Sequence, residues 1–215
     1  LNMAARWFPS RFALLGGWAQ MMGSAGGFVG QAPLSLAVAT FGWRSCNLIL
    51  GVAGLFLAVL LLFTVKDPKK DQTSGDNFSI WLSLKNVCAN TQTWLATLVA
   101  AGLTGALLAF GGLWGVPYLM KARAIDKPDA ASFISIIFVG WAIGAPFFGW
   151  LSDRIGRRRI LLLWGTCGAA LTTGTTILIP TLSTTLVIVV LFLQGFFSAS
   201  MILGFALAKD NNPPE

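Results

Sequence analysis

Five long stretches of the chain carry no formal charge: residues 12–43, 45–65, 86–120, 130–152 and 160–208. A helix needs about 20 predominantly apolar residues to cross the hydrocarbon core of a bilayer, so each stretch holds at least one span. The last is too long for one helix and is broken at Ile179-Pro180-Thr181-Leu182-Ser183-Thr184, where proline and turn-forming residues interrupt the apolar run. It reads as two spans joined by a tight turn. The pattern therefore predicts about six transmembrane helices, near 13–37, 44–65, 94–119, 131–151, 160–179 and 185–206. Continuous apolar runs such as Leu48 to Phe63 exclude a membrane β-barrel, whose strands alternate in polarity. The predicted fold class is all-α, an integral membrane helical bundle.

Composition agrees with lipid as the main solvent. Of 215 residues 55% are apolar and 11% charged, against about a quarter charged in a soluble domain. The net charge of +7 is explained by topology rather than by nucleic acid. With six spans, Arg6, Arg11, Lys66, Lys69, Lys70, Lys85, Arg154, Arg157, Arg158, Arg159 and Lys209 fall on one side, and Arg44, Lys121, Arg123 and Lys127 on the other. The richer side is expected to be cytoplasmic, which places both chain ends there.

Little in the chain suggests bond-making chemistry. There is no histidine, and Cys46, Cys88 and Cys167 stand singly, so neither a metal site nor any other cofactor is expected. All eight acids (Asp67, Asp71, Asp76, Asp126, Asp129, Asp153, Asp210 and Glu215) fall in loops or tails. An enzyme would need acids, bases or nucleophiles gathered at the membrane, so an enzymatic role is not expected. Proton relays use intramembrane carboxylates or histidines, and none is expected at membrane depth here.

The polar run Lys66 to Asn77 separates two groups of helices and reads as a linker. Phe78, Trp81, Leu82, Leu84 and Lys85 follow it as a partly amphipathic segment able to lie in the interface.

The most specific string is Gly149-Trp150-Leu151-Ser152-Asp153-Arg154-Ile155-Gly156-Arg157-Arg158-Arg159, between the fourth and fifth spans. Gly149 permits close helix approach, and Gly156 suits a turn that needs positive φ. Asp153 can accept from a helix N-terminus, while Arg154, Arg157 and Arg158 can hold the loop at one membrane face and pair with Asp153 or lipid phosphate. In the first span Gly23, Gly27 and Gly30 give small-residue spacing, as do Gly140 and Gly144 in the fourth.

The string resembles the cytoplasmic loop signature of the major facilitator superfamily, in the copy between helices eight and nine. The resemblance implies that residues 1–65 hold the last two helices of an N-terminal half, 66–93 the central linker, and 94–215 the first four helices of a C-terminal half. The chain would be a partial major facilitator fold, helices five to ten of about twelve, inactive alone. The implied function of the parent protein is secondary transport of a small polar organic solute by alternating access; the competing class is a non-transporting subunit or a channel. The resemblance further implies that helices five and eight pack so that their glycine faces meet. It places Asp153 near the start of the first span, around Ser10, Arg11 and Phe12, as a gate. It also implies that helices five, seven, eight and ten line the central cavity, which favours Gln20, Gln31, Trp114 and Gln194 as cavity residues, since an amide is costly facing lipid. The expected partners are a solute and lipid, with no nucleic acid. The expected state is a monomeric full-length protein in a bacterial inner membrane.

Overall fold

The computed structural model describes residues 11–64, 87–179 and 181–212. The linker 66–77, the amphipathic segment 78–85 and Ser10 lie outside the described residues. Six long helices make up almost all of the remainder: α1 Phe12–Phe41, α2 Trp43–Thr64, α3 Thr91–Arg123, α4 Lys127–Ile155, α5 Arg158–Leu178 and α6 Thr184–Asn211. They coincide with the charge gaps and extend past several of them, because the polar residues at the helix ends still belong to the last turns. The 30 residues of α1 span about 45 Å at about 1.5 Å per residue, close to a bilayer with its headgroups.

Helices α2 to α6 are long and apolar enough to cross a membrane. Helix α1 has the length, but Gly16, Gly17, Gln20, Gly23, Ser24, Gly26, Gly27, Gly30 and Gln31 dilute its apolarity. That dilution is what a helix buried against other helices can tolerate.

Local sequence sets the helix ends. Asn90 caps α3 by accepting from Gln92 N at 3.0 Å, and Ser183 caps α6 through Leu186 N. Pro128 and Asp129 occupy the first turn of α4, and Arg154 its last. Gly156, at φ 71°, ends α4 and donates its N–H to Ser152 O at 2.9 Å. Its positive φ is what the loop signature needs from glycine.

Helix α4 is the hub. Its face of Ala130, Ile134, Ile137, Phe138, Trp141, Ala145 and Phe148 is buried, with α1 on one side and α6 on another. Helix α5 packs on α6, and the C-terminal part of α6 packs on α3. Among the described residues helix α2 touches α1 alone and buries only Cys46, leaving Leu48, Phe56 and Phe63 outward. The helices alternate in direction. Leu14 of α1 meets Asp153 of α4, Asn90 before α3 meets Asn211 at the end of α6, and Tyr118 of α3 bonds Thr176 O of α5. One face of the bundle therefore holds the signature loop and the other holds Phe41, Arg123 and Lys127. The threonines of α5 satisfy backbone: Thr172, Thr175 and Thr176 donate to Gly168, Leu171 and Thr172 carbonyls at 2.8, 2.7 and 2.9 Å.

Candidate functional site

The signature side of the α1/α4 contact is built from the end of α4 against the start of α1. Helix α1 begins after Arg11 with no side-chain cap of its own, leaving its first-turn N–H groups to find partners elsewhere. Asp153 supplies one: its Oδ2 accepts from Leu14 N at 3.0 Å across 139 positions of sequence. The carboxylate sits where the helix dipole favours negative charge. Gly149, one turn back, faces Ala13 and Leu14. A Cβ there would overlap the Ala13 carbonyl oxygen and come within 3.0 Å of Leu14 Cα. The glycine and the aspartate thus act on the same turn of α1, one by allowing approach and the other by hydrogen bonding. Ser152, fully buried beside them, has no hydrogen-bond partner for its Oγ.

The arginines face elsewhere. Arg154 lies over the Trp150 ring, its guanidinium carbon 5.3 Å from the centroid. Arg157 stands before α5, and Arg158 Nη1 pairs with Asp210 Oδ2 of α6 at 3.0 Å. None of the described arginine contacts is made to Asp153, which uses backbone instead.

The α1/α4 contact continues through the membrane. Gly17 lies against Ala145 and Pro146, and Gly27 against the Phe138 ring; a Cβ at either would overlap those atoms. Further along, Ala32 N donates to Ser135 Oγ at 3.1 Å, and that hydroxyl donates to Ala131 O at 2.8 Å. The expected meeting of glycine faces needs correction here. Gly140 and Gly144 turn away from α1 and press on Phe192, Phe196 and Ala199 of α6, where Gly195 presses back on Ile137 and Trp141. Gly23 and Gly30 are exposed, and a Cβ at Gly30 would meet nothing within 4 Å. Of the five glycines, Gly27 alone packs on the facing helix of the α1/α4 pair.

On the opposite side, α1, α3 and α4 diverge around a cavity of about 760 Å³. Gln31, Ser35, Leu113, Pro117, Met120 and Lys127 are among its lining residues. Gln31 Nε2 donates to Gly111 O at 2.9 Å. Gly111 belongs to a π-helical stretch, Leu108–Trp114, in the middle of α3. A π turn breaks the regular hydrogen-bond ladder and is frequent at functional sites. The other expected cavity residues sit apart from this lining. Trp114 is 70% exposed on the outside of α3; the wider π turn brings Leu113 and Val116 to the cavity in its place. Gln194 is buried in the helix core, 1% exposed, with both amide atoms unpartnered. Gln20 is half-buried on α1, outside the cavity.

Sequence reasoning passed over Ser135 and Lys127. Ser135 looked like one small residue among apolar ones, and Lys127 like a plain loop cation. Only the packing of α1 on α4 gives either a role. Among the described residues no cluster of three or more histidine, cysteine or acidic side chains is placed to hold a metal ion.

Comparison with known proteins fits this geometry. The Major Facilitator Superfamily model matches residues 1–215. The chain is 26% identical to the membrane sensor protein UhpC of Salmonella typhimurium, over 90% of this chain and 50% of that protein. It is 25% identical to the probable galactarate/D-glucarate transporter GudP of Bacillus subtilis, over 100% of this chain and 53% of the relative. UhpC of Escherichia coli is 24% identical over 90% and 50%. The chain thus spans about half the length of these curated relatives. No solved structure matches it significantly. The helical bundle, its loop string and the full-length family match converge: the chain belongs to the Major Facilitator Superfamily.

Proposed function

We propose that the parent protein is a secondary transporter that moves a small polar organic solute by alternating access, and that Asp153 gates its signature side. In this reading residues 1–65 close an N-terminal half and 94–215 open a C-terminal half. The signature loop and both chain ends face the cytoplasm. The observation that carries the reading is the Asp153 bond to Leu14 N: a half-buried charge on a helix dipole, at the signature end of the α1/α4 contact. Such a contact can hold one side shut and release as the halves rock.

The solute is proposed to enter from the opposite side, through the cavity lined by Gln31 and Lys127. Lys127 at that cavity favours an acid among the polar solutes, and one relative is named for two sugar acids. The test is uptake into vesicles holding the intact parent protein, with galactarate, D-glucarate, amino acids and short peptides, with and without a pH gradient. Saturable uptake of one class, slowed by Asp153→Ala, supports the reading; no movement of any solute overturns it. That second outcome would favour a sensory role, since two of the relatives are named as membrane sensor proteins.

A further inference from the structure

Among the described residues Gln194 is the largest polar side chain in the core, 1% exposed, and neither atom of its amide makes a hydrogen bond. A buried donor and acceptor left unmade together are costly, and native structures keep such groups only where something offsets them.

The register of α6 on α3 shows what this amide can reach. Thr104 Oγ1 of α3 donates to Met201 Sδ of α6 at 3.1 Å. Gln194 and Gly111 each lie seven positions from that pair on antiparallel helices, a displacement of about 10 Å for both at about 1.5 Å per residue. Seven positions is close to two turns, so Gln194 shares with Met201 the side of α6 that faces α3. The contacts of α4 agree with this level. A Cβ at Gly111 would sit 3.8 Å from Ile137 Cδ1, and one at Gly195, next to Gln194, would overlap the Ile137 carbonyl oxygen. Gly111 and Gln194 thus meet the same residue of α4 from two helices.

Gly111 O is already the acceptor for Gln31 Nε2 of α1, at 2.9 Å. A helical carbonyl spends one lone pair on the ladder and has one left for a side chain. Gly111 and Gly112 stand together in the π-helical stretch, with no side chain to obstruct a donor from either direction. Two primary amides, one on α1 and one on α6, therefore compete for one oxygen.

We propose that Gly111 O is a switched acceptor, which takes Gln31 while α1 is docked on α4 and takes Gln194 once α1 withdraws. Parting the two helices then costs the bundle no net hydrogen bond at this level, and the buried amide of Gln194 is satisfied in the parted state. The inference rests on the α1/α4 contact being separable and on no particular solute.

The test uses the intact parent protein in lipid, its native cysteines changed to serine and spin labels replacing the exposed Trp18 and Ile155. Asp153→Ala serves as the background, where a docked and a parted 18–155 distance are both expected. Gln194→Met keeps nearly the side-chain volume and removes the amide; it should lower the parted-to-docked ratio about five-fold, the worth of one hydrogen bond. The same change should raise the melting temperature of the protein with Asp153 intact, because the docked state sheds an unbonded group. Gln31→Met alone should leave the ratio nearly unchanged, since Gln194 then serves Gly111 O in both states. Added to Gln194→Met, it should raise the ratio about five-fold.

A ratio unmoved by Gln194→Met would overturn the proposal, as would equal effects of Gln31→Met with and without Gln194, which would mean no competition. A lower melt or failure to fold in Gln194→Met would also overturn it, by showing an amide already bonded when docked, through a water shared with the buried Trp141 Nε1 for instance. A single 18–155 population in Asp153→Ala would overturn the separable contact and this switch with it. None of these readouts needs a transported solute, so each stands apart from the uptake assays.

Discussion

Helix α4 makes two long contacts, and they are built on different principles. Against α6 the backbones themselves touch: Gly140, Gly144 and Gly195 leave no room for a side chain, and the neighbours are aromatic or aliphatic. Against α1 the approach also needs glycine, at Gly17, Gly27 and Gly149. Here, however, hydrogen bonds between helices mark both ends, Asp153 to Leu14 N at one and Ser135 to Ala32 N towards the other. Gln31 adds a third bond from α1 to Gly111 O of α3. Backbone-to-backbone packing at glycine gives up a close fit once separated, because lipid chains cannot follow that surface as tightly as a facing helix does. The half-buried Asp153 bond at the signature end has an alternative, because water can take either side, whereas the bond to Ser135, a residue 1% exposed, is held away from water. The difference suggests a fixed contact on α6 and a separable one on α1.

The strongest way to break this comparison is to load the fixed contact. Gly195→Ala or Gly140→Ala would drive a methyl group into a backbone carbonyl, and the cost should reach about 3 kcal/mol or more because neither backbone can step aside. Loss of a cooperative melt in purified protein would check it. The same insult to the separable contact should be milder. Gly149→Ala meets Ala13 and Leu14, yet α1 can swing out, so the melt should fall by about 1–2 kcal/mol while α4 and α6 stay together.

The sequence pattern made some of this legible and not the rest. Gaps between charges located every long helix, since a membrane leaves few places for a charge to sit. The loop string led to Asp153 and the start of α1, because the resemblance named a partner. The glycines misled: residues four apart on a helix share a face, but that spacing is the same whichever neighbour the face meets. The expectation that Gly140 and Gly144 meet α1 came from the resemblance, and the spacing itself could not tell α1 from α6. Trp114 was expected at the cavity from the resemblance, and it stands exposed and outside the cavity lining, next to the π turn of α3. Gln194 was expected there on the same resemblance and because an amide is costly facing lipid, and it is buried without a partner.

Smaller effects sharpen the comparison. Asp153→Ala removes a cap made across the contact, and should lower stability by about 1 kcal/mol while loosening α1 from α4. Asp153→Asn keeps an acceptor and should lose about 0.3–1 kcal/mol, the charge-dipole part alone, by the same melts. Gly30→Ala, on the side of α1 where nothing lies within 4 Å, should change stability by less than about 0.5 kcal/mol. A large loss there would mean that the exposed side of α1 is covered by another part of the parent protein.

The most direct test of a fixed and a separable contact is a pair of distances in the intact parent protein in lipid. Spin labels would replace Trp18 on α1, Ile155 on α4 and Phe205 on α6, all exposed side chains, with Cys46, Cys88 and Cys167 changed to serine. Pulsed dipolar spectroscopy would then compare the unaltered Asp153 protein with Asp153→Ala. The account predicts a second, longer 18–155 population in Asp153→Ala and a single unchanged 155–205 distance. Two unchanged distances, or two that lengthen together, would contradict it.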